Sequence, residues 1–102
     1  MLRPPGSNSS SAPQTGINVL DYELAGEMAT ALGHAGRNAQ ECVANLLAFS
    51  GDAEERLAVR KKAVDAVYAY FIQRELVGLR KHDEIIRELN IPREVLVRLG
   101  QS

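Results

Sequence analysis

The sequence predicts an all-α fold built on a long helical hairpin. Two stretches of roughly 30 residues show the three-and-four apolar spacing of helices. Between them, a residue suited to end one helix is followed by a residue suited to begin the next. Gly51 can supply the left-handed conformation that ends a helix, and Asp52 can cap the helix that follows. Glu55, three residues after Asp52, completes a capping-box pattern. We therefore expect the chain to double back at residues 50–52.

Composition indicates one ordinary soluble domain. The chain has 102 residues, of which 45% are hydrophobic and 25% charged. Its net charge of −1 gives no bulk attraction to nucleic acid or to an anionic membrane. Residues 18–51 hold one Arg against four acids, whereas residues 52–82 hold seven Lys or Arg against five acids. The two helices should therefore attract each other weakly.

The N-terminal residues 1–17 differ in composition from the rest. They contain Pro4, Pro5, Pro13 and a serine-rich run, so they are predicted to be a disordered tail before a single helical domain at 18–102. Neither a secretory signal nor an apolar run of about 20 residues is visible. A single cysteine, Cys42, fits a reducing compartment. These features predict a cytoplasmic protein that does not enter a membrane.

The first helix is predicted to begin with Asn18 as its cap. Its apolar stripe has members three or four positions apart: Ala25, Met28, Leu32, Ala35, Ala39, Cys42, Leu46 and Phe49. Gly33 and Gly36 each weaken a helix interior by about 1 kcal/mol relative to Ala, so they could break the helix or permit a close contact. Because the three-and-four spacing of apolar residues continues across both glycines, one continuous helix is predicted.

The second helix is predicted to run from Ala53 to at least Lys81. Its main stripe comprises Leu57, Val64, Val67 and Phe71 with the row Ile72, Leu76 and Leu79. Residues 66–72 are apolar or aromatic around the whole circumference, which is more than a two-helix hairpin covers. The C-terminal segment and a second copy of the chain should supply the remaining cover.

A homodimer of the four-helix-bundle type follows as the predicted assembly. Its predicted interface comprises Met28, Leu32, Cys42, Leu46, Val64, Tyr68 and Phe71. An additional, unidentified protein partner is compatible with the same surface.

The C-terminal segment predicts one or two short helices. Asn90 is suited to a helix C-terminus and Pro92 to the first position of a new short helix. Residues 80–89 could continue the second helix or form a separate one. Residues 83–99 also resemble a degenerate helix-turn-helix, in which Arg93 and Arg98 would contact nucleic acid. Glu94 and the near-zero net charge favour a short helix that folds back over the hairpin.

Two short motifs resemble a known family. Residues 19–24 (Val-Leu-Asp-Tyr-Glu-Leu) and 91–96 (Ile-Pro-Arg-Glu-Val-Leu) are similar to those of a small family of uncharacterised, all-helical bacterial proteins. The resemblance implies a bacterial cytosolic helical protein without an assigned activity. It carries no functional residues.

Catalytic, cofactor and metal signals are weak. His34 and His82 lie far apart and neither belongs to a Glu-x-x-His ligand pair. Cys42 falls on the packed stripe, where a cysteine is most often inert. A basic cluster, comprising Arg56, Arg60, Lys61 and Lys62, could hold a phosphate or a carboxylate, but its helical spacing is more typical of a solvated face. We therefore predict no catalytic, cofactor or metal site.

Function is predicted only as a class. Small all-helical chorismate mutases have a similar length and dimerise through long helices, but the first helix here offers only Arg37 for a dicarboxylate substrate. We therefore favour a structural or regulatory interaction protein that acts as a homodimer. The alternative is a DNA-binding regulator that uses residues 83–99.

Overall fold

The computed structural model describes residues 12–100, with side chains from residue 19 onward, and this part of the chain is helical without strands. Its helices are α1 (Ala12–Ala48), α2 (Ala53–Leu76), α3 (Asp83–Glu88) and α4 (Arg93–Leu96). The predicted all-α class, with two long helices followed by short ones, is confirmed. The chain divides into two compact units within α1, the first ending at Thr30 and the second beginning at Ala31. Between residues 12 and 100, no helix is both long and apolar enough to cross a membrane.

The start of α1 differs from the prediction. Because α1 already begins at Ala12, the predicted cap at Asn18 is wrong. Residues 1–11 of the predicted tail lie outside the described residues. The prediction of one continuous helix across Gly33 and Gly36 is confirmed. A Cβ on Gly36 would lie 3.1 Å from the Tyr70 ring, so this glycine permits a close approach of α2.

The junction between α1 and α2 contains the predicted capping box. The Glu55 N–H donates to Asp52 Oδ1 at 2.7 Å, and the Asp52 N–H donates to Glu55 Oε1 at 3.3 Å. Gly51, however, is not left-handed, so its predicted conformation is wrong. A Cβ at position 51 would lie 2.6 Å from Phe49 Cζ and 2.9 Å from Glu55 Oε1, so a larger residue there would require these two side chains to move.

Helix α2 ends at Leu76, so the prediction that it reaches Lys81 is wrong. Gly78 adopts a left-handed φ of 94°. The Gly78 N–H donates to the Glu75 carbonyl at 3.0 Å, and the Leu79 N–H donates to the Arg74 carbonyl at 2.8 Å. These two bonds form a Schellman motif, which satisfies the last carbonyl groups and turns the chain away from the helix axis.

The residues after this turn form a separate helix, which settles the question left open by the sequence. Helix α3 ends with the same motif, in which Asn90 is left-handed (φ 54°) and the Ile91 N–H donates to the Ile86 carbonyl at 3.0 Å. The predicted role of Asn90 at a helix C-terminus is thereby confirmed. Pro92 is the N-cap of α4, one position before the one predicted.

The hydrophobic core lies in the second unit. Its buried members come from α1, α2 and the C-terminal segment: Ala39, Val43, Leu46, Ala63, Val64, Ala66, Val67, Phe71, Ile91 and Val95. The C-terminal segment therefore supplies part of the cover predicted for residues 66–72. Part of the main apolar stripe predicted for the second helix is not buried. Its exposed members are Leu57, Ile72, Leu76 and Leu79.

Candidate interaction surfaces

Helix α4 is attached to α2 by a charged pair. Arg56 donates from Nη1 to Glu94 Oε1 at 2.8 Å and from Nη2 to Glu94 Oε2 at 2.6 Å. Arg60 Nη1 lies 3.8 Å from Glu94 Oε1. Planar guanidinium and carboxylate groups match in such a bidentate pair, which fixes orientation as well as distance. Two of the four cationic side chains in the basic cluster therefore face a carboxylate of the chain itself, while remaining 41% (Arg56) and 23% (Arg60) exposed.

The electrostatics of this pair follow from its geometry. Hydrogen bonding by Arg56 lowers the pKa of Glu94 below its ordinary value, although partial burial opposes the shift. The positive charges of Arg56, Arg60 and Arg98 act in the same direction as the hydrogen bond. The reciprocal bond raises the pKa of Arg56. Glu94 is thus ionised and engaged at neutral pH.

A second cluster surrounds His82, at the start of α3. Its ring stacks on Phe71 with centroids 4.0 Å apart. Arg74 Nε–H donates to His82 Nδ1 at 3.1 Å, so Nδ1 is an acceptor and the ring hydrogen is on Nε2. His82 Nε2 then donates to Glu75 Oε2 at 3.0 Å. His82 is the N-cap residue of α3 but makes no side-chain capping bond, and its ring instead connects the end of α2 to the start of α3.

A polar groove of about 530 Å³ lies between the second-unit part of α1 and helix α2. Its lining comprises Asn38, Glu41, Cys42, Asn45, Lys62, Asp65, Ala66 and Ala69. Cys42 Sγ–H donates to Asn38 Oδ1 at 3.6 Å, and an amide oxygen is not a base that could activate a thiol. Among the residues from 19 to 100, no three His, Cys, Asp or Glu side chains are placed to share a metal ion.

One face of α2 presents uncovered apolar side chains. Tyr68, Ile72 and Leu76, here named the α2 stripe, have exposed fractions of 45%, 38% and 62%. Their spacing of four residues places them on one side of the helix. The exposed Leu79 follows, and then the exposed Arg80 and Lys81. Contiguous exposed apolar side chains rimmed by charge are typical of interaction sites.

The described part of the first unit also exposes apolar side chains. Val19, Leu20, Tyr22 and Leu24 are all at least half exposed. They alternate with acidic residues, so this part of α1 is both apolar and negatively charged.

The predicted interface residues are placed in two groups. Leu46, Val64 and Phe71 are buried in the chain's own core, where a second copy could not reach them. Tyr68 is exposed, whereas the other three, Met28, Leu32 and Cys42, are partly exposed. The interface therefore stays a prediction, and only this second group is accessible for it.

The main stripe predicted for the second helix included Ile72 and Leu76, and Ile72 also belonged to the belt at 66–72 that the C-terminal segment or a second copy would cover. A helical residue is rotated by about 100° from its neighbour, so Ile72 points away from the direction of the buried Phe71. The four-residue spacing from Tyr68 to Ile72 and from Ile72 to Leu76 indicated that these three residues share one side of the helix. What the sequence lacked was the position of α4, which decides the face that is covered.

The two arginines of the helix-turn-helix alternative are placed differently from each other. Arg93 is exposed, whereas Arg98 donates from Nη1 to the Glu94 carbonyl at 2.7 Å and is partly buried. Helix α4 itself has four residues, about one turn. Such a helix offers few side chains to a DNA major groove.

Comparison with known proteins identifies the family of the chain. The model of a family of unknown function (DUF6665) matches residues 9–102, so the chain belongs to this family. The family resemblance found in the sequence motifs is thereby confirmed at the level of an uncharacterised family. No curated protein and no solved structure matches the chain.

Proposed function

We propose that this member of the family is a small helical interaction protein that acts as a homodimer in the cytoplasm, with a structural or regulatory role. The observation that carries the proposal is the α2 stripe, three large apolar side chains that are 38–62% exposed on one helix face. Because the second unit already has a closed core, its fold does not need the stripe. The stripe is therefore available for a partner.

Two further observations support this proposal. The polar groove between α1 and α2 pairs its thiol with an amide rather than with a base, which favours binding over covalent chemistry. Cys42 is a free cysteine, as is usual for proteins of a reducing compartment.

Sedimentation velocity on the full chain over a range of micromolar concentrations tests the proposal. We expect a species of twice the monomer mass that dissociates on dilution, as mass action requires. A monomer at every concentration would overturn the homodimer. Matched measurements at low and high salt show how far charged contacts contribute, because exposed ion pairs are screened by salt.

A further inference from the structure

We infer that the α2 stripe is a self-complementary surface on which the α2 helix of a second copy packs antiparallel, with the two-fold axis near Ile72. This inference rests on the homodimer proposed above and names its interface. A two-fold axis brings the same patch of both copies together, so the surface must match itself.

The apolar side chains satisfy this condition. In an antiparallel pair of helices, a residue that precedes the two-fold axis by a given number of positions lies opposite the residue of the other copy that follows the axis by the same number. Ile72 then lies near its own copy, and Leu76 lies opposite Tyr68. Each large side chain of the stripe therefore meets another apolar side chain. Packing of ridges into grooves between two such helices gives a closely packed contact.

The charges beside the stripe favour the antiparallel direction through one carboxylate, that of Asp65, which lies one turn after the exposed Lys61 and Lys62. Asp65 precedes Tyr68 by three residues, and its side chain is 63% exposed. Arg80 and Lys81 follow the other end of the stripe and are exposed. In the antiparallel arrangement, the basic end of one copy lies beside Asp65 of the other. A parallel arrangement would place like charges together, which disfavours association.

Asp65 is free to take part in such a contact. Its ion pair within the chain is with Lys61, whose Nζ lies 3.3 Å from Asp65 Oδ2 and whose side chain is 76% exposed. Exposed i,i+4 pairs of this kind contribute at most a few tenths of a kcal/mol. Asp65 can therefore leave Lys61 and pair with a cation of the second copy at little cost in free energy.

Substitutions within the stripe give the first test. Ile72→Ser and Leu76→Ser should each raise the dimer dissociation constant roughly tenfold or more, because central apolar residues dominate interface energies. Leu57→Ser is the matched control, since Leu57 is an exposed leucine of the same helix outside the stripe. All three positions are exposed, so circular dichroism should show the same helical fold. A dimer unaffected by Ile72→Ser and Leu76→Ser overturns the inferred interface but leaves the proposed homodimer in place.

Charge exchange gives the second test. Asp65→Lys alone, and Arg80→Glu with Lys81→Glu, should each weaken the dimer several-fold. The three substitutions combined should restore the dissociation constant to near the wild-type value. Failure of the combination to restore association would overturn the antiparallel arrangement. A monomeric wild-type protein would overturn both this inference and the proposed function.

Cross-linking gives a direct readout of the axis. In a Cys42→Ser background, Ile72→Cys should form a disulfide between two copies on mild oxidation, because a residue near the axis lies close to its own copy. Leu57→Cys in the same background should remain monomeric on a non-reducing gel. Equal cross-linking of the two variants would place the axis elsewhere and overturn the inference.

Discussion

Val95→Ala tests whether the short helix α4 is part of the hydrophobic core. Val95 is fully buried although α4 has only four residues. The substitution removes two methyl groups, which correspond to roughly 1.6 kcal/mol of transfer free energy. The cavity left behind raises the expected loss to about 2–3 kcal/mol. For a domain of this size, the melting temperature should fall by about 10 °C.

Val97→Ala is a matched control two residues along the chain. Val97 is 51% exposed, so the same chemical change should alter the free energy of unfolding by about 0.5 kcal/mol or less. Urea denaturation followed by circular dichroism at 222 nm, at one fixed protein concentration, measures both. Similar losses for the two variants would show that α4 is not packed as the structure places it.

Three further predictions address the charged pair, the turn after α3 and the two units. Glu94→Gln should lower the melting temperature at pH 7 by a few degrees, with exposed Glu54→Gln as control. Because folding lowers the pKa of Glu94, the stabilisation by this carboxylate is fully present above its ordinary value near 4.5 and is lost as the pH falls through the lowered value. The melting temperatures of wild type and Glu94→Gln should therefore converge at acid pH. A difference between them that stays constant down to acid pH would contradict this reasoning. Asn90→Ala should cost about 1 kcal/mol because Asn90 is left-handed, whereas Asn90→Gly should be neutral or stabilising in urea titrations; the reverse order would refute the assigned turn. A chain comprising residues 31–102 should unfold cooperatively, with a melting temperature within a few degrees of that of the full chain, because all the buried core residues lie in the second unit. A fragment that shows no cooperative thermal transition would contradict this placement of the core.

Local signals were predictable because their partners are close in sequence. The capping box joins Asp52 to Glu55, so both of its hydrogen bonds connect residues only three positions apart. The left-handed Asn90 is likewise a local preference, since its amide side chain tolerates that conformation. The continuity of α1 across two glycines followed from the apolar phase on both sides.

Two features of the fold depended on contacts between distant residues. Arg56 and Glu94 are 38 positions apart, and their pairing requires the path that the chain takes after α2. The end of α2 was ambiguous, because Gly78 could lie in a helix interior or supply the left-handed turn. The contacts of His82 with Phe71 and Arg74 favour the turn, and such contacts leave no periodic pattern in the sequence.

The start of α1 and the conformation of Gly51 were missed for a different reason. Polar residue types such as those at the predicted cap are compatible with several positions near a helix end, so composition alone does not fix the boundary. At Gly51 the positive φ expected from the residue type is absent, and what the glycine provides instead is room beside the Phe49 and Glu55 side chains.

The C-terminal segment explains why one apolar face of α2 is left uncovered. Helix α4 is anchored by adjacent residues of different character, Glu94 paired with Arg56 and the buried Val95 in the core. Both anchors hold α4 against α2, and a helix of only four residues reaches about one turn along its partner, so Tyr68 and Ile72 stay exposed further along α2. The same pairing occupies two cations that could otherwise have held a phosphate. The docking of one short helix therefore weakens the case for an anion site on α2 and leaves an apolar row suited to a protein partner.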